Sequence, residues 1–73
     1  MRYPTAEKLA LLRHKYPQGL RVRLIEMDDA QAPPSGTEGT VLGVDDIGNL
    51  LINWDNGSGL NVILGVDRIE IIS

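Results

Sequence analysis

The chain has 73 residues, with 7 Lys and Arg against 10 Asp and Glu, a formal net charge of −3 at pH 7 and no cysteine. That length holds one small domain, and 10 Leu, 7 Ile and 5 Val make the chain too apolar for intrinsic disorder. Disulfides, cysteine nucleophiles and cysteine-based zinc sites are excluded outright.

Thr5 to Tyr16 reads as a helix. Thr5 is a good N-cap, and Ala6 to Leu12 are mostly strong helix formers. Leu9, Leu12 and Tyr16 fall on one narrow apolar stripe, which leaves Leu11 to one side. Arg13 and Lys15 suit the negative end of the helix dipole, and Pro17 and Gly19 stop the helix. From Leu20 the apolar period changes to two, so Leu20 to Ile25 is predicted as a strand. Met27 to Glu38 is a long loop, because Pro33-Pro34 cannot sit inside a sheet.

Gly39 to Asp45 is the second predicted strand, Asp46 to Asn49 a turn, and Asn49 to Trp54 the third strand, with Leu50, Ile52 and Trp54 on one face. Asn56-Gly57 suits the two positive-φ positions of a type I′ hairpin turn. Gly59 to Leu64 then reads as a fourth strand, Gly65-Val66-Asp67 as one 3₁₀ turn, and Arg68 to Ile72 as a fifth strand. The expected fold is mainly β: a five-stranded SH3-like barrel over residues 20–73, preceded by a helix and linker over residues 1–19, in one compact domain. Gly39, Gly43 and Gly59 are the places where such strands bend or bulge.

Charge divides the chain. Residues 1–23 hold six basic groups and one acid, giving +5; residues 24–73 hold Arg68 and nine acids, giving −8. Such asymmetry marks either a nucleic-acid arm or a basic segment that docks on its own acidic remainder or a neighbour's. Six scattered charges favour the second reading. The first fifteen residues include Arg2, Glu7, Lys8, Arg13 and Lys15, and residues 56–66 form the longest charge-free stretch. Neither fits a signal-peptide core or the ~20 apolar residues of a membrane helix, so the expectation is a cytoplasmic protein with no membrane partner.

Five stretches together resemble a known family: Tyr16-Pro17-Gln18-Gly19-Leu20-Arg21-Val22, Met27-Asp28-Asp29 with Ala32-Pro33-Pro34-Ser35-Gly36-Thr37, Gly39-Thr40-Val41, Trp54-Asp55-Asn56-Gly57, and Gly65-Val66-Asp67. The family is one of small uncharacterised bacterial proteins, a domain of unknown function found in Gram-positive bacteria and their mobile elements. The resemblance covers nearly the whole chain. It implies the SH3-like barrel and no activity, since that family has no catalytic or binding residues to carry over.

Enzyme chemistry finds little material. The only histidine, His14, lies off the apolar stripe near the helix C-terminus, and Ser35, Ser58 and Ser73 have no base at a recognisable spacing. No catalytic residue, cofactor site or metal site is therefore assigned, and no small-molecule substrate is evident. Asp28-Asp29, Asp45-Asp46, Asp55 and Asp67 show no alternating calcium-loop pattern, and turn aspartates ordinarily accept backbone N–H groups.

Three aromatics, Tyr3, Tyr16 and Trp54, are too few for a proline-rich-peptide groove or a methyl-lysine cage. Trp54 is read as core, and Asn56 and Gly57 as turn formers. Nucleic acid is disfavoured because the barrel is acidic. Ile25, Leu51, Ile63 and Ile72 lie out of phase with their inward neighbours, and Leu11 is spare on the helix. These five form the candidate interface. The expectation is a non-enzymatic interaction or accessory module that binds a protein partner or itself; the alternative is a nucleic-acid-associated module of a mobile element.

Overall fold

The computed structural model describes residues 4–73. Arg2 and Tyr3, counted above in the basic segment and among the aromatics, lie outside the described residues. The elements run α1 (Ala6–Lys15), β1 (Arg21–Glu26), β2 (Glu38–Val44), β3 (Leu50–Trp54) and β4 (Arg68–Ile71). All strand pairs are antiparallel, and the sheet order is β3-β2-β1-β4.

The helix forms as its sequence dictates. Lys8 N–H donates to Thr5 Oγ1 at 3.1 Å, and Tyr16 N–H closes the last turn on the Leu12 carbonyl at 2.8 Å. None of the residues from Ala6 to Lys15 is fully buried. Leu9 and Leu12 are half-buried against the core and Tyr16, at the C-cap, is buried. Arg13 fixes the helix to the sheet: its guanidinium donates to the Val44 carbonyl at 3.2 Å and to Asp46 at 3.3 Å.

The core consists of Tyr16, Val22, Leu24, Val41, Val44, Leu50, Ile52, Trp54 and Val62. Apart from Tyr16 at the helix C-cap and Val62 from the segment before β4, these are the inward positions of β1, β2 and β3. Two bulges break the ladders. One lies between Val41 and Gly43 of β2 and turns Leu42 outward; the other lies between Leu24 and Glu26 of β1 and turns Ile25 outward.

The expected five-stranded barrel is corrected to four strands in an unclosed sheet. The predicted fourth strand, Gly59 to Leu64, makes only isolated bridges, Val62 with Leu50 and Leu64 with Asp67. Side chains capture several of its other backbone groups. Leu60 N–H donates to Ser58 Oγ, the Leu60 carbonyl accepts the Trp54 indole N–H at 2.9 Å, and Ile63 N–H donates to Asp67 Oδ2 at 2.8 Å. A chain whose donors and acceptors are taken this way cannot run as a ladder.

Two turns also differ from expectation. After β3, Gly57 N–H bonds the Trp54 carbonyl, and Gly57 takes φ 89° while Asn56 stays at negative φ. The turn is therefore not type I′: Asn56 Oδ1 accepts Ser58 N–H at 3.0 Å, which a negative φ permits. The connector before β4 is not a 3₁₀ turn, because Gly65 sits at φ 89° and both Val66 and Asp67 N–H reach back to the Ile63 carbonyl.

Candidate docking groove

An open groove of about 640 Å³ runs between α1, the β2–β3 loop and the connector before β4. The helix supplies Thr5, Lys8, Leu12, Lys15 and Tyr16, residues spaced by three or four and therefore on one face. Pro4 precedes them, Ile47 and Gly48 come from the loop, and Leu64 and Gly65 from the connector. The volume falls within the range of about 300–1,000 Å³ typical of ligand pockets.

The loop wall is rigid for local reasons. Asp45 Oδ1 accepts Ile47 N–H at 3.1 Å and Asn49 N–H at 2.8 Å, and Gly48 N–H bonds the Asp45 carbonyl. Gly48 adopts φ 88°, which glycine takes without strain. A Cβ there would also touch Pro4 Cγ at 3.5 Å and Leu12 Cδ1 at 3.6 Å. The fold thus brings the hairpin loop directly against the start of the helix.

Leu12, Tyr16, Ile47 and Leu64 give the groove an apolar lining, and Lys8 and Lys15 are its only charges among the described residues. Lys15 Nζ stands 5.3 Å from the centroid of the Tyr16 ring. Among the described residues, no carboxylate, imidazole or thiol lines the groove. Its donor set of two ammonium groups, a capping hydroxyl and a phenol offers no ligand set for a metal. The arrangement can hold an apolar side chain and attract a carboxylate on either flank.

A second polar feature covers the outer face of the sheet. Arg21 of β1 grips both oxygens of Asp55, at 2.9 and 2.6 Å, and also reaches the Thr40 hydroxyl at 2.9 Å and Glu38 at 3.4 Å. Arg23 bridges Glu38 at 3.7 Å and Glu70 at 2.6 Å. Charges therefore alternate across the sheet from Asp55 to Arg21, Glu38, Arg23 and Glu70. The hydrogen bond to Asp55 holds the Arg21 guanidinium above its ordinary range and the Asp55 carboxyl below its own.

The five candidate interface residues are not gathered into one patch. Leu11 is 70% exposed on the solvent side of α1, Ile25 is exposed at the β1 bulge, and Ile63 is exposed before the connector. Leu51 and Ile72 are half-buried at opposite sides of the sheet, with β2 and β1 between them. The helix covers none of Ile25, Leu51 or Ile63; its stripe faces β2 and the core instead.

Trp54 is 1% exposed, and Asn56 and Gly57 form the turn after it. His14 is exposed in the last turn of α1. Asp29, Asp45 and Asp67 accept backbone N–H groups, and Asp46 and Asp55 pair with arginines. The groove itself was missed in the sequence, although the spacing of Thr5, Lys8, Leu12 and Lys15 already placed them on one helix face. Ile47, in a predicted turn, gave no sign that it would stand opposite.

A family model described as a domain of unknown function, DUF4314, matches residues 5–72. The chain belongs to that family. No curated protein matches it. Family membership spans the helix, all four strands and every residue of the groove except Pro4, so the groove is built within the family's own domain. Among the described residues, no helix is long and apolar enough to cross a membrane.

Proposed function

We propose that this domain is a non-enzymatic interaction module that docks an acidic segment of a protein partner in the groove between α1 and the β2–β3 loop. The observation that carries the reading is the groove's composition: apolar lining residues with Lys8 and Lys15 as the charges among the described residues. A segment with a Leu- or Phe-like anchor and flanking carboxylates satisfies both features.

Its non-enzymatic character is supported by the lining, in which no imidazole or carboxylate among the described residues could serve as a general base. Two serine hydroxyls elsewhere are engaged in local structure: Ser35 donates to the Ile25 carbonyl and Ser58 accepts Leu60 N–H. The nucleic-acid alternative draws less support. Arg13, Arg21 and Arg23 are all paired with carboxylates, which leaves no continuous basic face for phosphate among the described residues.

The test is affinity capture from the native host with the wild-type chain and with Lys8→Glu/Lys15→Glu. Both lysines are exposed, so the variant should keep its circular dichroism spectrum. A partner held by wild type and lost by the variant is expected, with an acidic contact segment found by cross-linking. Equal capture by both chains would overturn the reading.

A further inference from the structure

β4 is a sheet edge, paired on one side with β1 and, among the described residues, with no strand on the other. Arg23 opposes Glu70, and Ile72 N–H donates to the Arg21 carbonyl, so Glu70 and Ile72 direct their backbone groups toward β1. Ile69 and Ile71 alternate with them and direct theirs to the open side. The charge ladder on the outer face also stops at this edge. It ends on a carboxylate, Glu70, and the next basic residue, Arg68, is exposed and makes no ion pair among the described residues. Ile71, on the inner face at the same edge, is 47% exposed.

We propose that β4 pairs antiparallel with β4 of a second copy of this chain, about a twofold axis through Ile69, so that two four-stranded sheets become one. Charge selects the register. With Ile69 opposite its own copy, Arg68 faces Glu70 of the partner and Glu70 faces Arg68 of the partner, on the outer face and at the closer, non-hydrogen-bonded positions.

Shifting the pairing so that Ile69 faces Ile71 of the partner sets Glu70 against Glu70, which is repulsive. Only the first register continues the alternation Asp55, Arg21, Glu38, Arg23, Glu70 into the second copy. The Glu70 carboxylate already accepts Arg23 through Oε1, which leaves Oε2 for Arg68 of the partner. The open N–H and C=O groups of Ile69 gain partners at the same time, which is what an unprotected edge lacks.

The experiment is sedimentation equilibrium of the full chain over a concentration series reaching about 1 mM, alongside Ile69→Pro and Arg68→Glu. Ile69→Pro removes an N–H directed to the open side of the edge, and proline is tolerated at such edge positions. Arg68→Glu alters an exposed side chain and sets like charges across the twofold axis. A monomer–dimer equilibrium is expected for wild type, weakened at least about tenfold in each variant, with spectra unchanged. Should Ile69→Pro fail to fold, Arg68→Glu decides alone. A wild-type chain that stays monomeric throughout, or a dimer equally strong in Arg68→Glu, would overturn the proposal. Because this edge shares no residue with the groove, neither result bears on Lys8 and Lys15.

Discussion

Gly39 lies directly against the indole of Trp54. The two are cross-strand partners of β2 and β3, and a Cβ on Gly39 would stand 2.8 Å from Trp54 Cε3 and 2.7 Å from Ile52 Cγ2. The absence of a side chain at 39 is what lets the ring lie down in the core and reach the Leu60 carbonyl. Gly39→Ala should therefore destabilise the domain by about 1–3 kcal/mol through overpacking. Trp54→Ala should cost about 3–5 kcal/mol, which approaches the whole stability of a small domain. In a double-mutant cycle the combined loss should be less than the sum of the two, because removing the ring removes one of the two close contacts and leaves that with Ile52. Urea denaturation of the four chains measures this.

The loop wall of the groove depends on one carboxylate. Asp45→Ala leaves the N–H groups of Ile47 and Asn49 without their acceptor. A loss of about 1–3 kcal/mol is expected. Asp45→Asn, which keeps an acceptor oxygen in place, should recover most of it. Thermal melts of the two variants separate the outcomes.

Arg21 and Asp55 give the sheet a pH dependence of definite sign. The hydrogen bond from Arg21 holds the Asp55 carboxyl below its ordinary 3.8 in the folded chain. The unfolded chain then binds the proton more readily, so the pair's contribution is present above 3.8 and fades as pH falls through the lower folded value. The melting-temperature gap between wild type and Asp55→Asn should be widest near neutral pH and should close in acid. A gap that widened in acid would contradict the assignment. Strong salt should also narrow it, since Asp55 is exposed and Arg21 only half-buried.

The helix is a half-buried attachment. Leu9→Ala and Leu12→Ala should each cost about 1–2 kcal/mol, less than the 2–5 kcal/mol of a fully buried leucine. Moderate salt should not release the helix, because the exposed pair of Arg13 with Asp46 contributes about 0–1 kcal/mol. The Arg13 bond to the Val44 carbonyl and the apolar contacts remain. Fluorescence-detected denaturation with and without salt checks both points.

Much of the fold was legible because local chemistry and tertiary packing agree. Thr5 as cap, the alternation of Val22 with Leu24, and Leu50, Ile52 and Trp54 on one face all follow from spacing alone. Gly59 to Leu64 shows where that agreement ends. The alternation there correctly puts Val62 in the core, yet it cannot reveal that Ser58, Trp54 and Asp67 take the neighbouring backbone groups. Asn56-Gly57 failed for a similar reason, since an Asx turn competes with the type I′ geometry.

The candidate interface was legible only as a set of outward apolar residues. Their scatter over α1, β1, β3, a loop and the segment after β4 is a property of the sheet order, which no local pattern encodes. The groove is hidden for the same reason. It exists only because the β2–β3 loop folds onto the helix start, where Gly48 meets Pro4 and Leu12.

The most direct measurement is to pan a random peptide library against the intact chain and map the best binder by amide chemical shifts. Enriched peptides should place Asp or Glu on both sides of a large apolar residue. The shifts should centre on Lys8, Leu12, Lys15, Tyr16, Ile47 and Leu64, and Lys8→Glu/Lys15→Glu should weaken binding. Shifts confined to the Arg21–Glu38–Glu70 face or to β4, or a binder indifferent to the two lysines, would contradict the groove as the docking site.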